Sequence, residues 1–176
     1  MTGADPITIR TATPADFPAI AELTVDAYAA DGHLVGEEGY RTTLADVAGR
    51  ESAGEILVAV EGPDVLGAVL LVRPGSAFSE IAGPGEVEFR MLAVSPKAQR
   101  RGIGEQLVLA CLDRARSAGA DRVVISARDF VQAPLRLYAR MGFVRIPERD
   151  WSPIPGVDLV ALRYDLTTTH VHEVPA

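Results

Sequence analysis

The sequence predicts a single mixed α/β domain, with a mostly antiparallel sheet and helices on both faces. Three observations carry this. The chain has 176 residues, the size of one ordinary domain. Its apolar residues switch repeatedly between a period of two and a helical period. Two of its strands, at 86–94 and 122–127, are joined by a helix and so should run parallel, while the rest of the sheet should be mostly antiparallel.

The elements follow in order. Ile7-Thr8-Ile9-Arg10 alternates as a short strand. Thr13 then stands as an N-cap, with Pro14 at the first helical position. Phe17, Ile20, Ala21, Val25 and Tyr28 give the following helix an apolar face. Residues 29–38 read as a loop. Residues 39–52 read as a second helix with Leu44, Val47 and Ala48 inward. Strands at 55–60 and 65–72 flank Gly62-Pro63-Asp64 and form a hairpin. A Gly-, Pro- and Ser-rich loop leads to the strand at 86–94. A helix over 102–118 carries Ile103, Leu107, Ala110, Cys111 and Ala115 on one face, and Gly119 suits its end. A buried strand at 122–127, a helix at 133–141 ended by Gly142, and strands at 143–146 and 157–166 complete the order β-α-α-β-β-β-α-β-α-β-β. The domain is expected to span 1–166, with 167–176 as a tail.

Composition narrows the function. At 48% hydrophobic residues the chain can build a core without disulfides or a structural metal. Cys111 is the single cysteine, which excludes an internal disulfide and suits a reducing, cytoplasmic setting. The N-terminus lacks a basic cluster followed by an apolar run, and no apolar stretch reaches about 18 residues, so neither a secretory leader nor a membrane partner is expected. The net charge of −7 argues against nucleic acid. Charge is uneven: residues 1–89 hold 4 basic and 15 acidic side chains, residues 90–176 hold 13 and 9. Two ligands of opposite sign would fit that division, as would chance on a solvated surface.

The most informative stretch is 86–118. A strand runs into Gln99-Arg100-Arg101-Gly102-Ile103-Gly104, a basic, glycine-containing turn at a helix start. The first amides of a helix lack internal partners and face outward, and the helix dipole adds positive potential there. Such a turn binds phosphate. Gly102 and Gly104 let an oxyanion approach the backbone, while Arg100 and Arg101 add cationic donors. A dinucleotide fingerprint would need glycine where Leu107 stands, and no nucleoside-triphosphatase P-loop occurs.

Leu92-Ala93-Val94-Ser95-Pro96 followed by this turn resembles the acetyl-CoA motif of the GNAT superfamily of N-acetyltransferases, whose turn reads Gln/Arg-x-x-Gly-x-Gly/Ala. Leu137-Tyr138-Ala139-Arg140-Met141-Gly142-Phe143 is similar to the family's second motif, Leu-Tyr-x-x-x-Gly-Phe. The resemblance implies an acyl-CoA N-acyltransferase-like fold, acetyl-CoA as co-substrate without a metal, and acetyl transfer to an amine without a covalent enzyme intermediate. It implies that Met91, Leu92 and Val94 pair with the pantetheine arm in a slot beside their strand. The residues from Gln99 through Arg100, Arg101, Gly102, Ile103 and Gly104 to Glu105 would cradle the pyrophosphate. The Leu92 amide is a candidate oxyanion donor.

By the same resemblance Tyr138 lies where the CoA sulfur would sit. A phenol with an ordinary pKa of about 10 can protonate the leaving thiolate; a packed core aromatic is the plainer reading. Glu88, on the slot-forming strand where relatives often carry a glutamate, is the expected general base, with Glu86 as its backup and an ion pair to Arg90 as the alternative. Relatives commonly place a CoA-contacting asparagine seven residues before the tyrosine. Here that position is Val131, so either Gln132 takes over or that contact is absent, and Pro134 stands where alanine is usual. The 29–40 loop shapes the acceptor site in relatives, and its acidity suits a cationic amine, with a merely solvated loop as the plainer reading. His33, His170 and His172 form no evident metal set. Trp151 is expected to pack under a loop.

The expected acceptor is a small-molecule amine or a peptide, and a homodimer is an expectation of the resemblance alone. The alternatives are a protein N-terminal or lysine acetyltransferase and a non-catalytic acyl-CoA-binding regulatory module.

Overall fold

A computed structural model describes residues 5–34 and 37–167. One sheet organises the molecule. Its strands are β1 (Thr8–Thr11), β2 (Glu55–Glu61), β3 (Asp64–Val72), β4 (Glu86–Val94), β5 (Arg122–Arg128), β6 (Val144–Arg145), β7 (Trp151–Ile154) and β8 (Val157–Asp165). The spatial order is β1-β2-β3-β4-β5-β8-β6, with β7 also paired to β8. Only the β4–β5 pairing is parallel; the others are antiparallel. The helices are α1 (Phe17–Ala30), α2 (Glu38–Ala45), α3 (Val47–Ala53), α4 (Ile103–Ser117) and α5 (Gln132–Met141).

Strand alternation divides the core between the two faces. Leu57, Ala59, Val69 and Leu71 pack with α4 and α5 residues, among them Leu107, Cys111 and Tyr138. Ile56, Val58, Ala68, Leu70 and Val72 pack against Ile20 of α1 and Val47 of α3 on the other side. Helices therefore cover both faces, as the sequence predicts. No described helix is long and apolar enough to cross a membrane.

Four details differ from the sequence expectation. The helix expected over 39–52 breaks at Asp46, whose carboxylate accepts the Gly49 amide at 3.0 Å and starts α3 afresh. The break resets the helical phase, so Val47 and Arg50 are buried and Ala48 is exposed. Residues 14–16 form a 3-10 turn before α1, where Asp16 accepts both the Thr13 amide and hydroxyl. The buried face of α1 is Ile20, Leu23, Thr24 and Ala27, while Phe17, Ala21, Val25 and Tyr28 of the expected face are only partly buried, because the helix packs on β3 and β4 as well as α2 and α3. An eighth strand, β7, joins the sheet through Trp151↔Leu159 and Ile154↔Val157. The expected tail falls almost wholly outside the described residues, as do His170 and His172.

Candidate active site

The site begins where β4 and β5 part. Their pairing runs only from Glu86↔Arg122 to Glu88↔Val124. Beyond that point β5 stays on β8 as far as Arg128↔Leu159, and β4 stays on β3. The β3–β4 register moves from Leu70↔Arg90 to Ala68↔Ala93, so β4 carries one extra residue there, and Met91 takes φ +54°. A bulge re-aims the backbone locally. Met91, Leu92 and Val94 thus lie on the stretch of β4 that has left β5, with an unpaired edge toward the gap.

The turn after β4 supplies the second part. Gly102 caps α4 with φ +73° and ψ 12°, and Arg100 has φ +63°. That backbone bends the turn so that the start of α4 faces outward. A Cβ on Gly102 would meet nothing within 4 Å, so its requirement is conformational, whereas one on Gly104 would make ordinary contact with Leu137 at 3.5 Å. Among the described residues, no backbone amide from Gln99 to Glu105 donates to a carbonyl or side chain; Gln106 makes the first helical bond, to Gly102 at 3.1 Å. Seven consecutive free donors at the positive end of a 15-residue helix suit a diphosphate. The two arginines differ. Arg101 is bound by Glu61 through contacts of 2.7 and 3.1 Å, while the Arg100 guanidinium has no ion-pair partner among the described residues. Glu105 meets Arg140 at 3.4 Å on the surface.

Between the gap and α1 lies a cavity of about 300 Å³. Phe89, Arg90, Met91 and Leu92 of β4, Ser126, Ala127 and Arg128 of β5, and Tyr138 of α5 line one part. Tyr28, Asp31, His33, Glu37 and Tyr40 come from α1, α2 and the loop between them, and Glu80 from the β3–β4 loop. The β7–β8 hairpin contributes Pro153, Ile154, Val157 and Leu159.

Tyr138 is buried between Phe89 and Phe143, with ring centroids 5.8 and 5.6 Å away. Its hydroxyl has no hydrogen-bond partner among the described residues, yet it is not sealed from the cavity. Burial, and next the Cys111 thiol, push the phenol above its ordinary pKa, so it stays protonated. Two ion pairs stiffen the α1–α2 side of the cavity. Arg128 meets Glu37 at 2.7 Å, and Arg90 pairs with Glu80 while donating to the Phe78 carbonyl at 2.9 Å. Burial raises the pKa of Glu80, against the nearby Arg90 charge. Burial and the Arg128 charge lower His33 to about 4, against the opposing pull of Glu37, so its imidazole is neutral at pH 7.

The expected bases are both held by their surroundings. Glu88 is fully buried, and its Oε2 accepts from Ser79 Oγ at 3.1 Å and from the amides of Glu80, Ile81 and Ala82 at 2.9, 3.2 and 3.3 Å. The loop at 79–82 wraps this carboxylate, which does not reach the cavity wall, and Arg90 pairs with Glu80 instead. Glu86 is held by Arg149 at 2.7 and 3.1 Å and by the Gly83 amide at 2.8 Å. Burial pushes its carboxyl up, but those partners and Arg122 outweigh that and hold it below its ordinary pKa. Gln132 donates to the Asp129 carbonyl at 3.1 Å and stays on the exposed start of α5, while Val131 and Pro134 line the cavity.

Sequence reasoning therefore missed Glu80 and Arg128 as wall residues. Glu80 lies in a polar loop whose path no periodicity describes. Arg128 shows only as the last residue of a strand. Trp151 stands half-buried on β7 rather than under a loop, and donates from Nε1 to Ser126 Oγ at 3.2 Å.

A parallel strand pair that opens beside an unpaired helix start, with a phenol at the fork, defines a class of acyl-CoA-binding transferase folds. The chain belongs to the acetyltransferase (GNAT) family, whose sequence profile matches residues 17–143. It is 32% identical over 154 residues to a mycothiol acetyltransferase from Mycobacteroides abscessus, covering 87% of this chain and 47% of that protein. It is 28% identical over 162 residues to the N-alpha-acetyltransferase RimI of Mycobacterium tuberculosis, covering 92% and 94%. The chain spans about half the length of the mycothiol acetyltransferases it matches. A GNAT-family acetyltransferase from Staphylococcus aureus superposes with a TM-score of 0.73 at 14% identity, covering 92% of this chain and 99% of that one. The Salmonella typhimurium acetyltransferase yncA, solved with its cofactor acetyl-CoA, gives a TM-score of 0.64 at 23% identity, covering 96% and 98%.

Proposed function

We propose that this protein transfers the acetyl group of acetyl-CoA to a primary amine of a small molecule, by direct attack and without an acyl-enzyme. The observation that carries the reading is the run of free amides from Gln99 to Glu105 beside the fork of β4 and β5. Those donors, with Arg100, suit a pyrophosphate. The unpaired edge of β4 at Met91, Leu92 and Val94 suits an extended amide-bearing arm that adds to it like a strand. The Leu92 amide suits the oxyanion of a tetrahedral intermediate. Tyr138 can hand its proton to the departing thiolate because it remains protonated at neutral pH. The chain's own donors and Arg neutralise the phosphates, so no metal is invoked.

The acceptor enters from the side of Tyr28, His33 and Tyr40. A cavity of about 300 Å³, bounded on one side by the β7–β8 hairpin, favours a small amine over a long peptide. The RimI relative makes a protein N-terminus the alternative acceptor. A reducing, cytoplasmic setting suits both the cofactor and the single buried cysteine. Release of free thiol from acetyl-CoA across a panel of amines and peptides tests the reading. Turnover with a small amine is expected. Tight CoA binding with no transfer to any acceptor would replace this reading with a non-catalytic CoA-binding module.

A further inference from the structure

Glu88 lies on the central strand where a base is expected, yet its Oε2 is spent on one hydroxyl and three consecutive amides, and its Oε1 is sealed without a partner among the described residues. Those three amides belong to Glu80, Ile81 and Ala82, so the carboxylate fixes the loop from which the Glu80 side chain enters the cavity wall. Arg90 tethers that side chain to β4, two residues before Leu92, and is itself held by the Phe78 carbonyl.

We propose that Glu80 is the carboxylate that takes the acceptor's proton, and that Glu88 is a positioning residue acting through the loop that carries Glu80. This rests on the acetyl-transfer reading above. The other cavity groups are less suited. His33, with a pKa near 4, is a poor acceptor of a proton from an ammonium. Glu37 is ion-paired like Glu80, but its partner is Arg128 at the end of β5, whereas Arg90 holds Glu80 on β4 two residues before Leu92. Asp31, whose carboxyl burial also pushes up, has no ion pair to fix its side chain among the described residues. Glu80 belongs to an exposed loop, but its side chain is 20% exposed where it meets Arg90, and that loss of water makes it a stronger base than a free glutamate. The charged groups around it are Arg90 and Glu88 of β4, with Tyr40 of α2 beside it. Tyr28, Asp31, His33, Glu37, Arg128 and Tyr138 complete the ionisable lining.

The step balances. An ammonium acceptor gives one proton to Glu80. The freed lone pair forms the C–N bond as the carbonyl pair moves onto oxygen beside the Leu92 amide; the return of that pair breaks the thioester C–S bond, and the sulfur leaves with the Tyr138 proton. The second nitrogen proton restores Tyr138, and Glu80 releases its proton to solvent. Ammonium and thioester become amide, thiol and one proton.

The test is the pH dependence of kcat/KM for wild type, Glu80→Gln and Glu88→Gln with the best amine of the panel, alongside CoA affinity and amide hydrogen exchange over residues 79–82. Wild type should lose activity as pH falls through a pKa above that of an ordinary glutamate. Glu80→Gln should drop by about 10²–10⁴-fold, lose that acid limb and keep its CoA affinity. Glu88→Gln should keep the limb, moved to lower pH because a neighbouring negative charge is gone, with faster exchange at residues 80–82. Glu80→Gln with a near-wild-type rate and an intact limb overturns the proposal, and this arm decides even if Glu88→Gln does not fold. A folded Glu88→Gln that alone loses the limb returns the base to Glu88. Wild type that releases no thiol with any amine fails the functional reading and carries this proposal down with it, an outcome distinct from an active enzyme indifferent to Glu80.

Discussion

Arg128 at the end of β5 places Nη2 2.7 Å from Oε1 of Glu37, 91 positions earlier in the chain and at the start of α2. Both side chains are largely buried, 10% and 15% exposed, so the pair ties the start of α2 to the second strand of the fork. Removing one partner leaves a poorly solvated charge. Arg128→Ala should therefore cost on the order of 3 kcal/mol, or a fall in Tm of roughly 6–12 °C. Arg128→Met with Glu37→Gln together should recover part of that loss in thermal unfolding.

The two arginines of the phosphate turn should separate in binding. Arg101 is already bound to Glu61, while Arg100 has no such partner among the described residues. Arg100→Ala should weaken CoA binding by about tenfold, the worth of one charge-assisted hydrogen bond, with a shallower salt dependence. Arg101→Ala should leave affinity nearly unchanged. Calorimetric titration with CoA distinguishes them.

Gly102 needs its positive φ of 73° although it has room for a side chain. Gly102→Val should destabilise the fold by about 1–2 kcal/mol and reduce CoA affinity by tilting the amides of Ile103 and Gly104. An equal loss in Gly102→Ala and Gly104→Ala would contradict this, since Gly104 lies in a helix that accepts alanine. Denaturant unfolding and CoA titration on the same samples report both effects.

Tyr138→Phe should reduce kcat by about 10²-fold or more while leaving CoA affinity and Tm close to wild type, because the ring contacts with Phe89 and Phe143 survive. The raised pKa of Tyr138 fixes a sign. A general acid fails when it deprotonates, so kcat should show no alkaline loss from this group between pH 7 and 10. A loss in that range that vanishes in Tyr138→Phe would contradict the assignment.

Asp16 is held down to about 2, first by its hydrogen bonds from Arg10 at 2.7 and 3.0 Å, against burial, with the Thr13 amide and hydroxyl assisting. A carboxylate whose folded pKa is depressed stabilises the protein above its unfolded pKa of about 3.9. That contribution should be complete at pH 5–6 and drain away as pH falls from about 4 to about 2. The stability gap between wild type and Asp16→Asn, measured by urea unfolding, should close over that window.

The strands, the helices and the phosphate turn were readable along the chain because each depends on neighbours within a few residues. The alternation at 86–94, the glycines at 102 and 104, and the tyrosine-to-phenylalanine spacing at 138–143 all lie within one turn or strand. The break at Asp46 was less visible, because a single side chain accepting the Gly49 amide competes with a helical pattern that continues on both sides. The short strand at Trp151–Ile154 holds a proline and little alternation, and forms because β8 offers it an edge.

The order of residues is enough to specify the local chemistry: a strand ending in a basic turn with unpaired amides, and a phenol on a later helix. Which carboxylate faces the cavity was decided only by the tertiary structure. Glu88 and Glu80 are equally acidic in the sequence, and strand alternation alone points Glu88 toward the site. The 79–82 loop folds over Glu88 and spends its charge on three amides, while Arg90 draws Glu80 to the wall. A buried carboxylate takes whatever donors surround it, and those donors are set by the path of a loop rather than by the residues beside it in the chain.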